Sequence, residues 1–215
     1  MIVKVCDVTK SLGGRDVLSH ASLHMSSGEV TGLWGINGSG KTTLMRAICG
    51  FIRPNDGHVE IDGKVIGRDM EFPPSVGVLI EHPAFVEDKS ALWNLFQLAR
   101  VSGRATRDDA ARSLRRVGLD PQDTRPVRKY SLGMRQRAGI ALAIMEAPDL
   151  IILDEPSNGL DEGGTETLCE IVREERARGA ALLVSCHDRA LLERLSDRIY
   201  RIADGVVTEE EAHDA

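Results

Sequence analysis

The nine residues Gly35-Ile-Asn-Gly-Ser-Gly-Lys-Thr-Thr43 constrain this chain more than any other stretch. They fit the pattern G-x-x-x-x-G-K-[ST]. An apolar run, Glu29–Trp34, precedes them, and residues 41–51 follow with Leu44, Ile48 and Phe51 at helical spacing. Gly35, Gly38 and Gly40 allow the loop through Asn37 and Ser39 to turn its backbone N–H groups inward around phosphate oxygens. The start of the following helix adds a favourable dipole. Lys41 is then placed for the β- and γ-phosphates and the Thr42 hydroxyl for Mg²⁺, with Thr43 beside it. Average composition produces this pattern in about one chain per hundred of this length. The strand–loop–helix context therefore selects a triphosphate-binding loop over an ordinary glycine turn.

A second stretch supports the first. Leu150-Ile-Ile-Leu-Asp-Glu155 is four apolar residues ending in two carboxylates. An apolar strand delivers Asp154 to the carboxyl edge of a sheet, where ligands bind in open α/β folds. Asp154 is the expected Mg²⁺ partner, and Glu155 is placed as general base on an attacking water.

Between and around these motifs, residues 2–8 alternate apolar and polar, and 17–25 read as a second strand. His58–Ile61 and Lys64–Ile66 form a hairpin about Asp62-Gly63. Residues 90–101 and 107–117 are helical patterns, with Ser90 and Thr106 as N-caps. Strands and helices then alternate: strand 150–153, helix 166–178, strand 180–185, helix 189–195, strand 198–202. That order implies a mainly parallel sheet covered by helices. The expected organisation is one α/β domain over 1–215. Its core spans 1–83 and 129–208 and includes an N-terminal antiparallel β lobe. Residues 84–128 form an inserted α-helical lobe, and 209–215 an acidic, frayed tail.

Composition narrows the function classes. The net charge of −6 and an aromatic content of 4% argue against a nucleic-acid binder, which needs a basic field or a stacking platform. The four cysteines, Cys6, Cys49, Cys169 and Cys186, are far apart and read as small, reduced, mostly buried side chains; a zinc site would need a tighter ligand cluster. His20, His24, His58, His82 and His213 read as structural or solvent-facing. The N-terminus lacks a signal-peptide pattern. The longest apolar runs fall short of the roughly 18–20 residues that span a bilayer. Any membrane crossing is therefore expected from another chain.

Which triphosphatase this is emerges downstream. Tyr130-Ser-Leu-Gly-Met-Arg-Gln-Arg137, Asp154-Glu-Pro156, Asn158-Gly-Leu-Asp161 and Ser185-Cys-His187 follow the phosphate loop in the order seen in ABC-type ATPases. The chain resembles that family along nearly its whole length. The Ser-Leu-Gly-Met signature and Gly77-Val-Leu-Ile-Glu-His-Pro83 look like the bacitracin- and lantibiotic-resistance export group. The resemblance implies a P-loop ATPase fold, ATP and Mg²⁺ as cofactors, and a dimer that sandwiches the nucleotides. Ser131, Gly133 and Met134 at a helix N-terminus would face the γ-phosphate bound to the other subunit. Asp161 would contact the opposite phosphate loop. His187 would hydrogen-bond the γ-phosphate and position water. Four positions depart from the family. Glu81 stands where Gln is usual; it is expected to ligate Mg²⁺ and support catalysis. Leu12 stands where an aromatic usually stacks on adenine, which implies weaker ATP binding and weaker base selectivity. Leu132 and Met134 also replace the more usual Gly and Gln, which puts a ligand role for Met134 in question.

The resemblance thus implies the ATP-hydrolysing subunit of an ABC transporter, an exporter of an antibiotic peptide or other amphiphile. Its partners would be a transmembrane permease and a second copy or paralogue, on the inner face of the cell membrane, with no nucleic acid. The alternative is a soluble ABC-type ATPase not coupled to transport, but such proteins usually carry two cassettes or a long coiled-coil insert. A GTPase would show Asn-Lys-x-Asp, which this sequence lacks.

Overall fold

The computed structural model describes residues 1–210. Two sheets are built from ten strands: β1 (Ile2–Leu12), β2 (Arg15–Ser26), β3 (Val30–Trp34), β4 (Asp56–Ile61), β5 (Lys64–Val65), β6 (Val76–Leu79), β7 (Leu150–Asp154), β8 (Ala181–Cys186), β9 (Arg198–Ala203) and β10 (Val206–Glu210). Six helices join them: α1 (Lys41–Ile48), α2 (Ala91–Ser102), α3 (Arg107–Arg116), α4 (Leu132–Ile144), α5 (Glu162–Arg178) and α6 (Arg189–Leu195). The antiparallel sheet has the order β2-β1-β4-β5 and the larger sheet β10-β9-β3-β8-β7-β6. In the larger sheet β9, β3, β8, β7 and β6 run parallel, and β10 pairs antiparallel with β9.

The alternation of side chains along a strand divides the apolar runs between two cores. Along β7, Leu150 and Ile152 pack toward α1 and the antiparallel sheet, while Ile151 and Leu153 pack toward the helices on the other side. Along β8, Ala181 and Leu183 take the first face and Leu182 and Val184 the second. Every residue of both strands is buried. α1 lies in the first core, with Leu44, Met45 and Ile48 fully buried among Val3, Val5, Leu33 and Ile152. Each such side chain contributes about 1.5–3 kcal/mol. This packing fixes the direction in which the start of α1 points.

The structure adjusts several expectations. α1 stops at Ile48 rather than running to Phe51, because Gly50 turns the chain at φ 77°, where a Cβ would lie 2.3 Å from the Glu71 carbonyl. α5 begins at Glu162, a turn before the expected 166, since the Asp161 carboxylate caps it by accepting from the Gly164 N–H. β1 and β2 outrun their alternating stretches because Asp7 and His20, both at φ 52°, absorb irregularities in the ladder. The sequence pattern does not mark β6 as a strand. The strand is four residues long and contains Gly77, whose lack of a side chain admits the Ala143 carbonyl of α4. The acidic tail expected at 209–215 is corrected in part: Glu209 and Glu210 complete β10 against Tyr200 and Ile199, and residues 211–215 lie outside the described residues. Ser90 and Thr106 cap α2 and α3 as their sequence positions imply, Thr106 within a reciprocal capping box with Asp109.

Candidate nucleotide site

The parallel register decides what meets at the carboxyl edge of the larger sheet. Asp154 pairs with Ser185, and Trp34 with Cys186, so the loops after β3, β7 and β8 open side by side. The cleft there is lined by Ile36, Asn37, Gly38, Gly40, Lys41, Thr42, Thr43, Asp154 and Glu155, with Val17, Glu81, His82 and Asn158 at its sides.

The glycines of the loop have separate tasks. Gly40, at φ 113°, begins α1, and a Cβ on it would come 2.7 Å from the Val17 carbonyl. Gly38, at φ 83°, borders open space. Gly35 packs so closely that a Cβ would sit 2.4 Å from the Ile202 carbonyl and 2.8 Å from Ser39 Oγ. No side chain caps α1. The first backbone N–H groups of a helix have no partner within it. The mouth of the loop is thus an anion cradle with a positive dipole end.

Charged groups converge on it. Lys41 is buried, and its Nζ donates to the carbonyls of Gly35 at 2.5 Å and Ile36 at 3.2 Å and pairs with Glu155 Oε1 at 3.2 Å. The other oxygen of Glu155, Oε2, lies 2.8 Å from His187 Nδ1. Thr42 Oγ1 donates to Asp154 Oδ2 at 2.6 Å, and Ser185 Oγ donates to Asp154 Oδ1 at 2.5 Å. Ser185 also receives the Glu155 N–H on its Oγ at 2.9 Å. Glu155 stands at φ 49°, a left-handed backbone that few non-glycine residues adopt. The turn aims its carboxylate back between Lys41 and His187. The Thr42 hydroxyl and Asp154 carboxylate, beside a phosphate cradle, are hard oxygen donors of the type Mg²⁺ takes together with phosphate oxygens, so the residues present fit that ion.

Other expected site residues lie elsewhere in the chain. Glu81, at φ 58°, borders the cleft, but its Oε2 pairs with Arg46 of α1 at 2.9 Å rather than with Thr42 or Asp154. Leu12 ends β1 half-exposed and is not in the cleft lining, whose apolar contributions come from Val17 and Ile36. Ser131, Gly133 and Met134 open α4, with Ser131 Oγ accepting from the Met134 N–H at 3.2 Å. Gly133 approaches Gly159 so closely that a Cβ would lie 2.5 Å from its carbonyl. These three residues and Asp161 stand outside the cleft that holds Lys41. The sequence assigns no role to Ser185 or Gln136. Gln136 is buried and donates Nε2–H to the Glu155 carbonyl at 3.0 Å, tying α4 to the turn of the candidate base. A single polar residue on an apolar helix face was the available signal. The four cysteines are free, with Cys49, Cys169 and Cys186 buried.

The family model described as ABC transporter matches residues 18–158. The chain is 38% identical over 196 residues to the uncharacterized ABC transporter ATP-binding protein YybJ of Bacillus subtilis, covering 91% of this chain and 90% of that one. It is 34% identical to the lantibiotic transport ATP-binding protein SrtF of Streptococcus pyogenes, over 99% and 92% of the two chains. It is also 34% identical to the bacitracin transport ATP-binding protein BcrA of Bacillus licheniformis, over 97% and 69%. Among solved structures it superposes on an ATP-binding subunit of an ABC transporter with a TM-score of 0.86 at 27% identity, covering 98% of this chain and 90% of that one. It shares its fold with the dimeric bacterial ABC transporter cassette MJ0796, with a TM-score of 0.88 at 24% identity over 99% and 100%. A family match over residues 18–158 and relatives 34–38% identical across nearly the full length of both chains show that this protein belongs to the ABC transporter family.

Proposed function

We propose that this chain binds and hydrolyses ATP as the nucleotide-binding subunit of an ABC exporter of amphipathic antibiotic peptides. The observation that carries the reading is the chain Lys41–Glu155–His187 at the mouth of the glycine loop, with Thr42 and Asp154 alongside. On ATP binding, the loop N–H groups and Lys41 take the phosphates, and Lys41 leaves Glu155 for the γ-phosphate. Glu155 is then the general base. It receives a proton from the attacking water as the bond from the γ-phosphorus to the bridging oxygen breaks, releasing ADP and phosphate. His187 keeps Nδ1 on Glu155 and offers its other ring nitrogen to the γ-phosphate. Thr42 and Asp154 would hold Mg²⁺, which neutralises phosphate charge when bound. Glu81 would join them only after leaving Arg46.

Ser131, Gly133, Met134 and Asp161 do not serve the cleft of their own chain. In this reading they complete the cleft of a second copy or a paralogue, as the N-terminus of α4 suits an anion. The substrate pocket belongs to a membrane partner, whose cytoplasmic helix docks between Glu81 and the helices following it. The relatives' names point to export of bacitracin- or lantibiotic-like peptides.

The test is Glu155→Gln. A positioned base contributes about 10²–10⁴-fold, so ATPase activity should fall by that factor while ATP binding persists and ATP brings two copies together in size-exclusion chromatography. Parental turnover by this variant would remove Glu155 as the base. Co-purification of the parent with a multi-span membrane protein separates a transport subunit from a soluble ATPase.

A further inference from the structure

The sulfur of Cys186 lies within 4.8 Å of ligand atoms of Glu155 and His187, yet hydrolysis has no use for it. We propose that Glu155, Cys186 and His187 form a site for a borderline-soft divalent cation, best matched by Zn²⁺, and that filling it arrests hydrolysis. The binding part stands on geometry alone; the arrest rests on the function proposed above.

One carboxylate oxygen, one thiol sulfur and one imidazole nitrogen of these residues all lie within 4.8 Å of one another. The set arises because Cys186 and His187 are consecutive at the end of β8, while the parallel pairing of Asp154 with Ser185 brings the Glu155 turn beside them. His187 Nδ1 and Glu155 Oε2 are already 2.8 Å apart. Around a tetrahedral zinc the donor atoms stand about 3.5 Å from each other, so Nδ1 and Oε2 spread from 2.8 Å to admit the ion. The sulfur lies 3.4 Å from Ser157 Oγ, where either group can donate, and accepts from the Asp188 N–H at 3.3 Å, while burial raises the thiol's pKa, so a metal has to displace its proton. Binding replaces the thiol proton, which leaves to solvent. Cys186 is buried and His187 is exposed, so a fourth position for water lies on the histidine side.

Donor chemistry separates this site from the Mg²⁺ site next to it. Thr42 and Asp154 offer only hard oxygen, whereas the new set offers nitrogen and sulfur, which Mg²⁺ does not take and Zn²⁺ does. Lys41, 3.2 Å from Glu155 Oε1, opposes a cation here and leaves Oε2 as the coordinating oxygen. A metal on Oε2 and Nδ1 withdraws both the base and its histidine from the reaction.

The experiment uses the full chain without nucleotide, in a non-chelating reductant. Zn²⁺ is titrated against a chromophoric chelator, and Co²⁺ serves as a spectroscopic probe. The parent should bind one equivalent of Zn²⁺ and show a thiolate-to-cobalt charge-transfer band in the near ultraviolet. Cys186→Ser should lose the band and bind Zn²⁺ at least about tenfold more weakly, since even outer partners of metal ligands are worth that much. The same variant should hydrolyse ATP near the parental rate and resist Zn²⁺. A chain with Cys6, Cys49 and Cys169 all replaced by Ala should keep the band; this arm holds even if Cys186→Ser fails to fold. Equal Zn²⁺ affinity in parent and Cys186→Ser, or loss of the band from the triple variant, overturns the site. Zn²⁺ binding by a parent that hydrolyses no ATP would leave the site standing and remove the proposed function instead.

Discussion

Glu81 and Glu155 are both non-glycine residues at positive φ, 58° and 49°, on two sides of one cleft. Backbone of this kind costs on the order of 1–3 kcal/mol per residue and persists where the surroundings hold it. Glu155 is held by Ser185, Gln136, Lys41 and His187, and Glu81 by Arg46 on the solvent side. The first is fixed in place, while the second is tied to one exposed arginine. At the same scale, Gly77 is where the sheet accepts α4. A Cβ there would stand 1.7 Å from the Ala143 carbonyl, a backbone atom that cannot rotate away. Gly77→Ala should destabilise the protein by about 3 kcal/mol or more, the upper end for overpacked cores, measured as a lower urea midpoint. An unchanged midpoint would mean that β6 and α4 separate freely.

Among the elements, α3 is the clearest case of a helix set by its own ends. Its apolar residues Ala110 and Leu114 are buried, and its N-terminus carries the Thr106–Asp109 box. Thr106→Ala should cost about 1 kcal/mol, the usual value for a lost cap, read by urea denaturation. The Thr106 hydroxyl and N–H and Arg112 hold the Asp109 carboxyl below its usual range. A folded-state pKa lowered in this way means a contribution that is complete above the ordinary aspartate value of about 3.9 and lost as pH falls below it. The cost of Asp109→Asn should therefore shrink on acidification below about pH 4; a cost constant from pH 7 to 3 would mean that the charge plays no part. α4 differs, since its position comes from tertiary contacts: Gly133 against Gly159, Gln136 on the Glu155 carbonyl, and Arg135 paired with Glu87.

Within one chain, Ser131 stands apart from the cleft that holds Lys41. If a homodimer completes the site, Lys41→Ala and Ser131→Arg should each be nearly inactive. An equal mixture should recover about a quarter of parental activity, because half the dimers then hold one intact site of two. No recovery on mixing, under conditions where the copies exchange, would rule out a composite homodimeric site. No helix among the described residues is long and apolar enough to cross a membrane.

The phosphate loop, the carboxylate pair after β7, the N-caps of α2 and α3 and most of the alternation of strands and helices are legible in the residues alone. Each of these is written in contiguous residues, where spacing and backbone chemistry act locally. The family resemblance was legible for the same reason, since its motifs are short and ordered. Register and close packing settle the rest: β6 as a strand, Glu209 and Glu210 in β10, Asp154 on Ser185, Glu81 on Arg46, and Leu12 outside the cleft lining. They also decide the meeting of Glu155 with Cys186 and His187, 31 and 32 residues apart. No spacing rule marks such a set, because it exists only when two parallel strands end side by side.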